Sequence, residues 1–162
     1  MEYKLEYNYL LKMLNKIGEE FVNDLKTEIR ALNKVASGDL VNSINYKVIE
    51  TNGNYNIEIY SEDYLKYVDG GRKPGKRPPV KAIIPWVQSK GIKMQKPGGG
   101  FITAESAAFV IAKSIGEKGI KPTNIISKVQ KALFQKYESN IKLAIQQDYQ
   151  DYIKKIMSNI WA

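Results

Sequence analysis

The chain has 162 residues, 43% hydrophobic and 26% charged, which suits one folded domain able to bury a core, and it holds no apolar run long enough for a transmembrane helix. It contains no cysteine and no histidine, which excludes disulfides, thiolate chemistry and cysteine-built metal sites and removes the usual neutral-pH general base and the commonest metal ligand. The net charge of +8 is gathered in one place: residues 71–96 carry Arg72, Lys73, Lys76, Arg77, Lys81, Lys90, Lys93 and Lys96 and no acid, while elsewhere 17 basic residues meet 17 acidic ones, so a polyanionic or acidic partner is expected there.

The first residues, Met1-Glu2-Tyr3-Lys4, lack a basic-then-apolar pattern, and no secretory signal is expected. Leu10, Leu14, Ile17, Phe21, Leu25, Leu32 and Val35 recur at spacings of three, four or seven, the stripe of one long helix. Ser37-Gly38 is expected to end it, with glycine in the left-handed conformation. Residues 44–60 read as a β-hairpin. Asn52-Gly53 fits a two-residue turn with positive φ at both positions. That turn pairs Thr51 with Asn54, Val48 with Ile57 and Tyr46 with Ile59, so turn and alternation agree on the register.

Asp63 to Gly71 is a short helical or extended piece ending in glycines. Residues 72–79 carry Pro74, Pro78 and Pro79 among four cations and Gly75, and predict an exposed loop. Val80 to Lys90 predicts a short helix closed by Gly91, buried through Ile83, Ile84, Trp86 and Val87, with Pro85 admitted in the first turn or as a kink. Residues 96–100, Lys-Pro-Gly-Gly-Gly, predict a second flexible loop. A further helix spans about Ala104 to Glu117, with Thr103 as cap, a small face of Ala104, Ala107, Ala108 and Ala112, and Gly119 and Pro122 beyond its end. From Asn124 on, Ile126, Val129, Leu133, Tyr137, Ile141, Ala144, Tyr149, Tyr152, Ile156 and Ile160 predict a helix on the order of 50 Å long at ~1.5 Å per residue. A helix that outruns its own domain packs on something else, often a neighbouring subunit.

The fold expected is α+β: a small antiparallel sheet containing the hairpin, covered by the helices around 80–90 and 104–117, with long helices at both ends. Residues 1–162 form one domain, comprising an N-terminal helix over 1–36, a core over 37–122 with the basic loop 71–81, and a helical extension over 123–162.

The candidate site is Arg72, Lys73, Lys76, Arg77 and Lys81. These side chains suit phosphates contacted without base reading, or an acidic protein surface; the bland alternative is a solvated loop that aids solubility. Gly98-Gly99-Gly100 lacks the lysine–serine or lysine–threonine pair and the preceding strand of a phosphate-binding loop, and reads as a connector. Asp63 with Asp69, or Glu19 with Glu20, read as helix-surface charge rather than catalytic pairs. The eleven tyrosines suit core and interface positions. No catalytic residue, metal or cofactor is called for, and the chain is expected not to be an enzyme.

Four pieces of the chain, in order, resemble the head–tail joining and tail-completion (neck) family of tailed bacteriophages. They are Ser37-Gly38-Asp39-Leu40 with Ser43-Ile44; Tyr64-Leu65-Lys66-Tyr67-Val68-Asp69-Gly70-Gly71; Pro78-Pro79 leading into Ile84-Pro85-Trp86-Val87-Gln88-Ser89-Lys90-Gly91-Ile92; and an alanine-rich helix ending Ile115-Gly116-Glu117-Lys118-Gly119-Ile120-Lys121-Pro122. The resemblance covers about residues 37 to 131 and departs from the family at Pro85 and in the longer C-terminal helix. It implies a structural subunit, with no catalytic residues to carry over, in a ring of copies at the head–tail junction or the top of the tail. The partners implied are copies of itself, portal or adaptor and tail proteins, and genomic DNA through its backbone, with no membrane. Its place is the virion, after assembly in the host cytoplasm. The rival expectation is a sequence-independent nucleic-acid-binding protein, motivated by the 71–96 charge block; a small carboxylate-dependent nuclease using Asp63 or Asp69 stands third.

Overall fold

The computed structural model describes residues 4–32 and 38–160. Its elements run α1 (Asn8–Ala31), α2 (Asp39–Ser43), β1 (Asn45–Thr51), β2 (Asn54–Tyr60), α3 (Leu65–Asp69), α4 (Val80–Ser89), α5 (Ala104–Lys118) and α6 (Ile125–Ile160). The protein is α+β and mostly helical, with one two-stranded antiparallel sheet and a long helix towards each end. It divides into two compact units. The first comprises Met1–Leu25, Asn45–Tyr60 and Ser127–Ala162; the second comprises Lys26–Ile44 and Ser61–Ile126. Among the described residues, no helix is long and apolar enough to cross a membrane.

In the first unit, Val129, Leu133 and Tyr137 of α6 bury against Met13, Ile17 and Phe21 of α1. The α1 stripe does this as its periodicity predicts. The hairpin takes the expected register, Thr51 opposite Asn54, Val48 opposite Ile57 and Tyr46 opposite Ile59, with positive φ at Asn52 and Gly53. Tyr46 lies against α1 at Gly18, where an added Cβ would meet the ring at 2.3 Å. Glycine in mid-helix costs roughly 1 kcal/mol relative to alanine, and here it makes room for the hairpin's aromatic ring. Tyr55 stands edge-on to Tyr7, ring centroids 5.5 Å apart.

The α6 stripe differs from its sequence expectation at several points: Ile125 rather than Ile126 is buried, and Ile160 is 65% exposed. Tyr149 is exposed, and the buried position belongs to Asp148, 3% exposed. Its carboxylate accepts the backbone N–H groups of Tyr9 (2.8 Å) and Leu10 (2.9 Å). These are donors in the first turn of α1 with no partner inside the helix. A buried acid is thus retained because it caps a helix 138 residues earlier in the chain.

In the second unit, α4 and α5 pack through Ile83 and Val87 against Ala107, Ala108 and Ala112, with Trp86, Ile92, Met94 and Ile115 around them. The alanines remove side-chain bulk, so the two helices approach closely. Thr103 caps α5, its hydroxyl oxygen accepting from Ser106 N–H at 3.2 Å. Gly91 closes α4 at φ +60°, and Pro85 lies inside that helix. The expectation that these helices cover the hairpin is corrected: they pack on each other in the second unit, while the hairpin belongs to the first.

Gly38 is a second correction. Its φ is −63°, in the right-handed region, because it introduces α2 rather than closing α1; its carbonyl accepts from Asn42 N–H at 2.8 Å, and α1 already ends at Ala31. Ser37 and Val35 lie outside the described residues. Residues 96–100 form a closed turn rather than an open connector. Lys96 N–H donates to Gly100 O (2.9 Å), Gly99 N–H to Lys96 O (3.1 Å) and Ile102 N–H to Met94 O (2.9 Å).

Candidate functional site

The basic loop is held by its backbone. Arg72 and Ile120 exchange two hydrogen bonds, Arg72 N–H to Ile120 O at 2.8 Å and Ile120 N–H to Arg72 O at 2.7 Å. Gly75 N–H donates to Gly116 O at 2.8 Å. The loop is thereby zipped along the end of α5 and the segment that leaves it. Glycine makes this possible. At Gly119, φ is +72° and a Cβ would sit 2.2 Å from Arg72 O; at Gly71, φ is +70° and a Cβ would sit 2.4 Å from Ile120 O. Both need a left-handed backbone and an absent side chain. Gly116 is buried, and a Cβ there would meet Arg77 Cγ at 2.7 Å.

The candidate cations then separate. Arg72 is half-buried: its guanidinium donates to Lys76 O at 2.5 Å and lies 5.9 Å from the Tyr67 ring centre. It fastens the loop. Lys73, Lys76, Arg77 and Lys81 are exposed. Arg77 lies 5.7 Å from the centre of the Phe109 ring, itself 51% exposed. Lys93 lies over Phe101 at 5.7 Å. The zipper also brings in two exposed cations from outside the 71–96 block, Lys118 and Lys121. Among the described residues, none of Lys73, Lys76, Arg77, Lys81, Lys118 and Lys121 is ion-paired.

The carboxylates weighed from the sequence fall into other roles. Asp63 is exposed and pairs with Lys66 at 3.3 Å. Asp69 is not plain surface charge. Its Oδ1 accepts Ile126 N–H (2.9 Å) at the start of α6, and its carbonyl accepts Thr123 N–H (2.9 Å) and Asn124 N–H (3.0 Å). Glu20 accepts from Lys136 Nζ and the Tyr137 hydroxyl. Those two hydrogen bonds, that from Lys136 foremost, hold its carboxyl below the ordinary range, and Glu20 in turn pushes the Tyr137 hydroxyl up. Among the described residues, no three acids gather to hold a metal. An open groove of about 380 Å³ lies between α1 and α6; the ionisable side chains lining it are Tyr9, Lys12 and Lys16, which offer no carboxylate for acid–base work.

Lys118, Lys121 and the caps Asp69 and Asp148 are the residues that sequence reading missed. Only Gly119, noted as a helix stop, hinted at a close backbone approach. Set against protein-family models, curated proteins and solved structures, the chain matches none of them.

Proposed function

We propose that this chain is a non-enzymatic structural subunit of a tailed-bacteriophage connector, neck or tail-completion ring, which joins the DNA-filled capsid to the tail and frames the DNA channel. One observation carries the reading together with the four-piece resemblance. Beyond Asp148 no residue of α6 is buried. There Tyr149 (47% exposed), Ile153 (55%), Met157 (47%) and Ile160 (65%) recur at spacings of four, four and three. That spacing sets them along one helical face. Full burial of each such side chain stabilises by about 1.5–3 kcal/mol, and contiguous exposed apolar surface of this kind marks an interaction site.

A neighbouring copy covers this face in the assembled ring. A head-to-tail contact that closes on itself gives cyclic symmetry. The chain's work is then mechanical: it bridges portal or adaptor to tail, in the virion, through surfaces rather than a reaction. The test is deletion of the gene in the phage that encodes it. The expected result is filled heads and separate tails, with joining restored by the native chain and not by the folded double variant Ile153→Asp/Ile160→Asp. Joined, infectious particles formed without the chain overturn the reading.

A further inference from the structure

We propose that the zippered loop and the exit of α5 form one cation array that binds the phosphate backbone of duplex DNA without reading its sequence. Lys73, Lys76 and Arg77 come from one side, Lys118 and Lys121 from the other. The antiparallel Arg72–Ile120 pair sets the geometry. In that register Lys73 stands opposite Gly119 and Lys121 opposite Gly71, so five cations flank a single two-bond ladder. In sequence they fall into two groups about forty residues apart, and only the second unit's backbone brings them together.

The nearby acids are occupied. Glu117 faces Lys113 at 3.9 Å, and the Asp69 carboxylate is held by Ile126 N–H. The array therefore presents positive charge with no internal neutralisation, which is the electrostatic footprint of a phosphate-binding surface. Its backbone is already ordered by the hydrogen bonds at Arg72, Gly75 and Ile120, so binding does not have to order a floppy loop first.

The chemistry favours duplex over single strand. A single-strand site offers free aromatic faces on which bases stack. Here Phe109 lies beneath Arg77, and Tyr67 beneath Arg72. The array's loop is hydrogen-bonded along the end of α5 rather than projecting as a reader of a groove. Lysine and arginine ends alone give attraction that depends on salt and not on sequence. The array lies within one unit of one chain, so the proposal does not rest on the connector reading.

The test is fluorescence anisotropy of the full chain with a short labelled duplex of mixed sequence. With roughly four phosphates neutralised, the slope of log affinity against log salt is expected near −3.6, a loss on the order of 150-fold between about 50 and 200 mM salt. The pairs Lys73→Ala/Lys76→Ala and Lys118→Ala/Lys121→Ala should each flatten that slope by about 1.8. Lys128→Ala/Lys131→Ala, on the exposed side of α6, should leave it unchanged. All three are exposed substitutions, and circular dichroism confirms folding. Four results overturn the proposal: no binding at low salt, a Lys118/Lys121 variant with the native slope, tighter binding to a single strand than to duplex, or an equal loss from the Lys128/Lys131 pair. Head–tail joining that proceeds without the chain, with DNA binding intact, would strike the connector reading alone.

Discussion

In the first unit the long-range joints are side chains. Leu133 and Tyr137 of α6 press on α1, and the Asp148 carboxylate takes up two N–H groups at the start of that helix. In the second unit the joint between the basic loop and the end of α5 is made by backbone. Arg72 and Ile120 trade hydrogen bonds across a gap only glycine can permit, and α5 meets α4 through alanines. The difference predicts opposite vulnerabilities. A side-chain joint fails when atoms are removed; a backbone joint fails when atoms are added.

Leu133→Ala should be the most costly single change. Truncating a leucine that is 3% exposed removes transfer energy and leaves a cavity, about 3–4 kcal/mol in all. Urea unfolding measures the loss, and hydrogen exchange should place it in α1 and α6, with 61–126 less affected. The converse is Gly119→Ala, which adds one methyl group at φ +72° against Arg72 O. Backbone strain and displacement of the ladder should cost about 2–3 kcal/mol, with faster exchange concentrated at 70–76 and 116–121. If Gly119→Ala is neutral, the distinction between the two kinds of joint collapses. Next in size is Asp148→Ala, which leaves two buried-end N–H groups without acceptors. It should cost about 1–2 kcal/mol, and exchange should quicken at Tyr9 and Leu10 first. Asp148→Asn, which keeps one acceptor oxygen, should recover part of that.

What the sequence disclosed was local. The hairpin register followed from Asn52-Gly53 and from alternation within a few residues, and the α5 cap from Thr103 one turn away. The end of α4 was likewise written in Gly91. What it concealed was pairing over distance. Asp148 broke an apolar stripe, and nothing near it in the chain says that its partners are Tyr9 and Leu10. Nothing near Gly18 in the chain says that the ring of Tyr46 lies against it. At the candidate site, composition located the acid-free block but treated its cations alike. The fold divides them: Arg72 is tied to the loop's own backbone, and Lys118 and Lys121 join from a segment whose charge balance had looked ordinary.

The smallest expected effect tests a polar contact at the edge of the first unit's core. Glu20 receives Lys136 and Tyr137, both on α6, and its carboxyl is held below the unfolded value of 4.5 chiefly by the Lys136 hydrogen bond and then by that of Tyr137. A depressed carboxylate adds stability in full above its unfolded value and loses it as pH falls through the folded one. Lys136 and Tyr137 are both pushed up, foremost by the hydrogen bond to Glu20. Their share is therefore present at neutral pH; it is lost as they deprotonate under alkaline conditions, and in acid once Glu20 is protonated. Thermal melts of Glu20→Gln at pH 7 and about pH 3 should show a smaller acid-induced loss than the native chain, because the carboxylate that had to be protonated is gone. Tyr137→Phe should keep most of the acid dependence, since Lys136 remains. If Glu20→Gln melts in parallel with the native chain at both pH values, Glu20 adds nothing to the joint between α1 and α6, and the contrast with the second unit rests on carbon packing and the Asp148 cap against backbone.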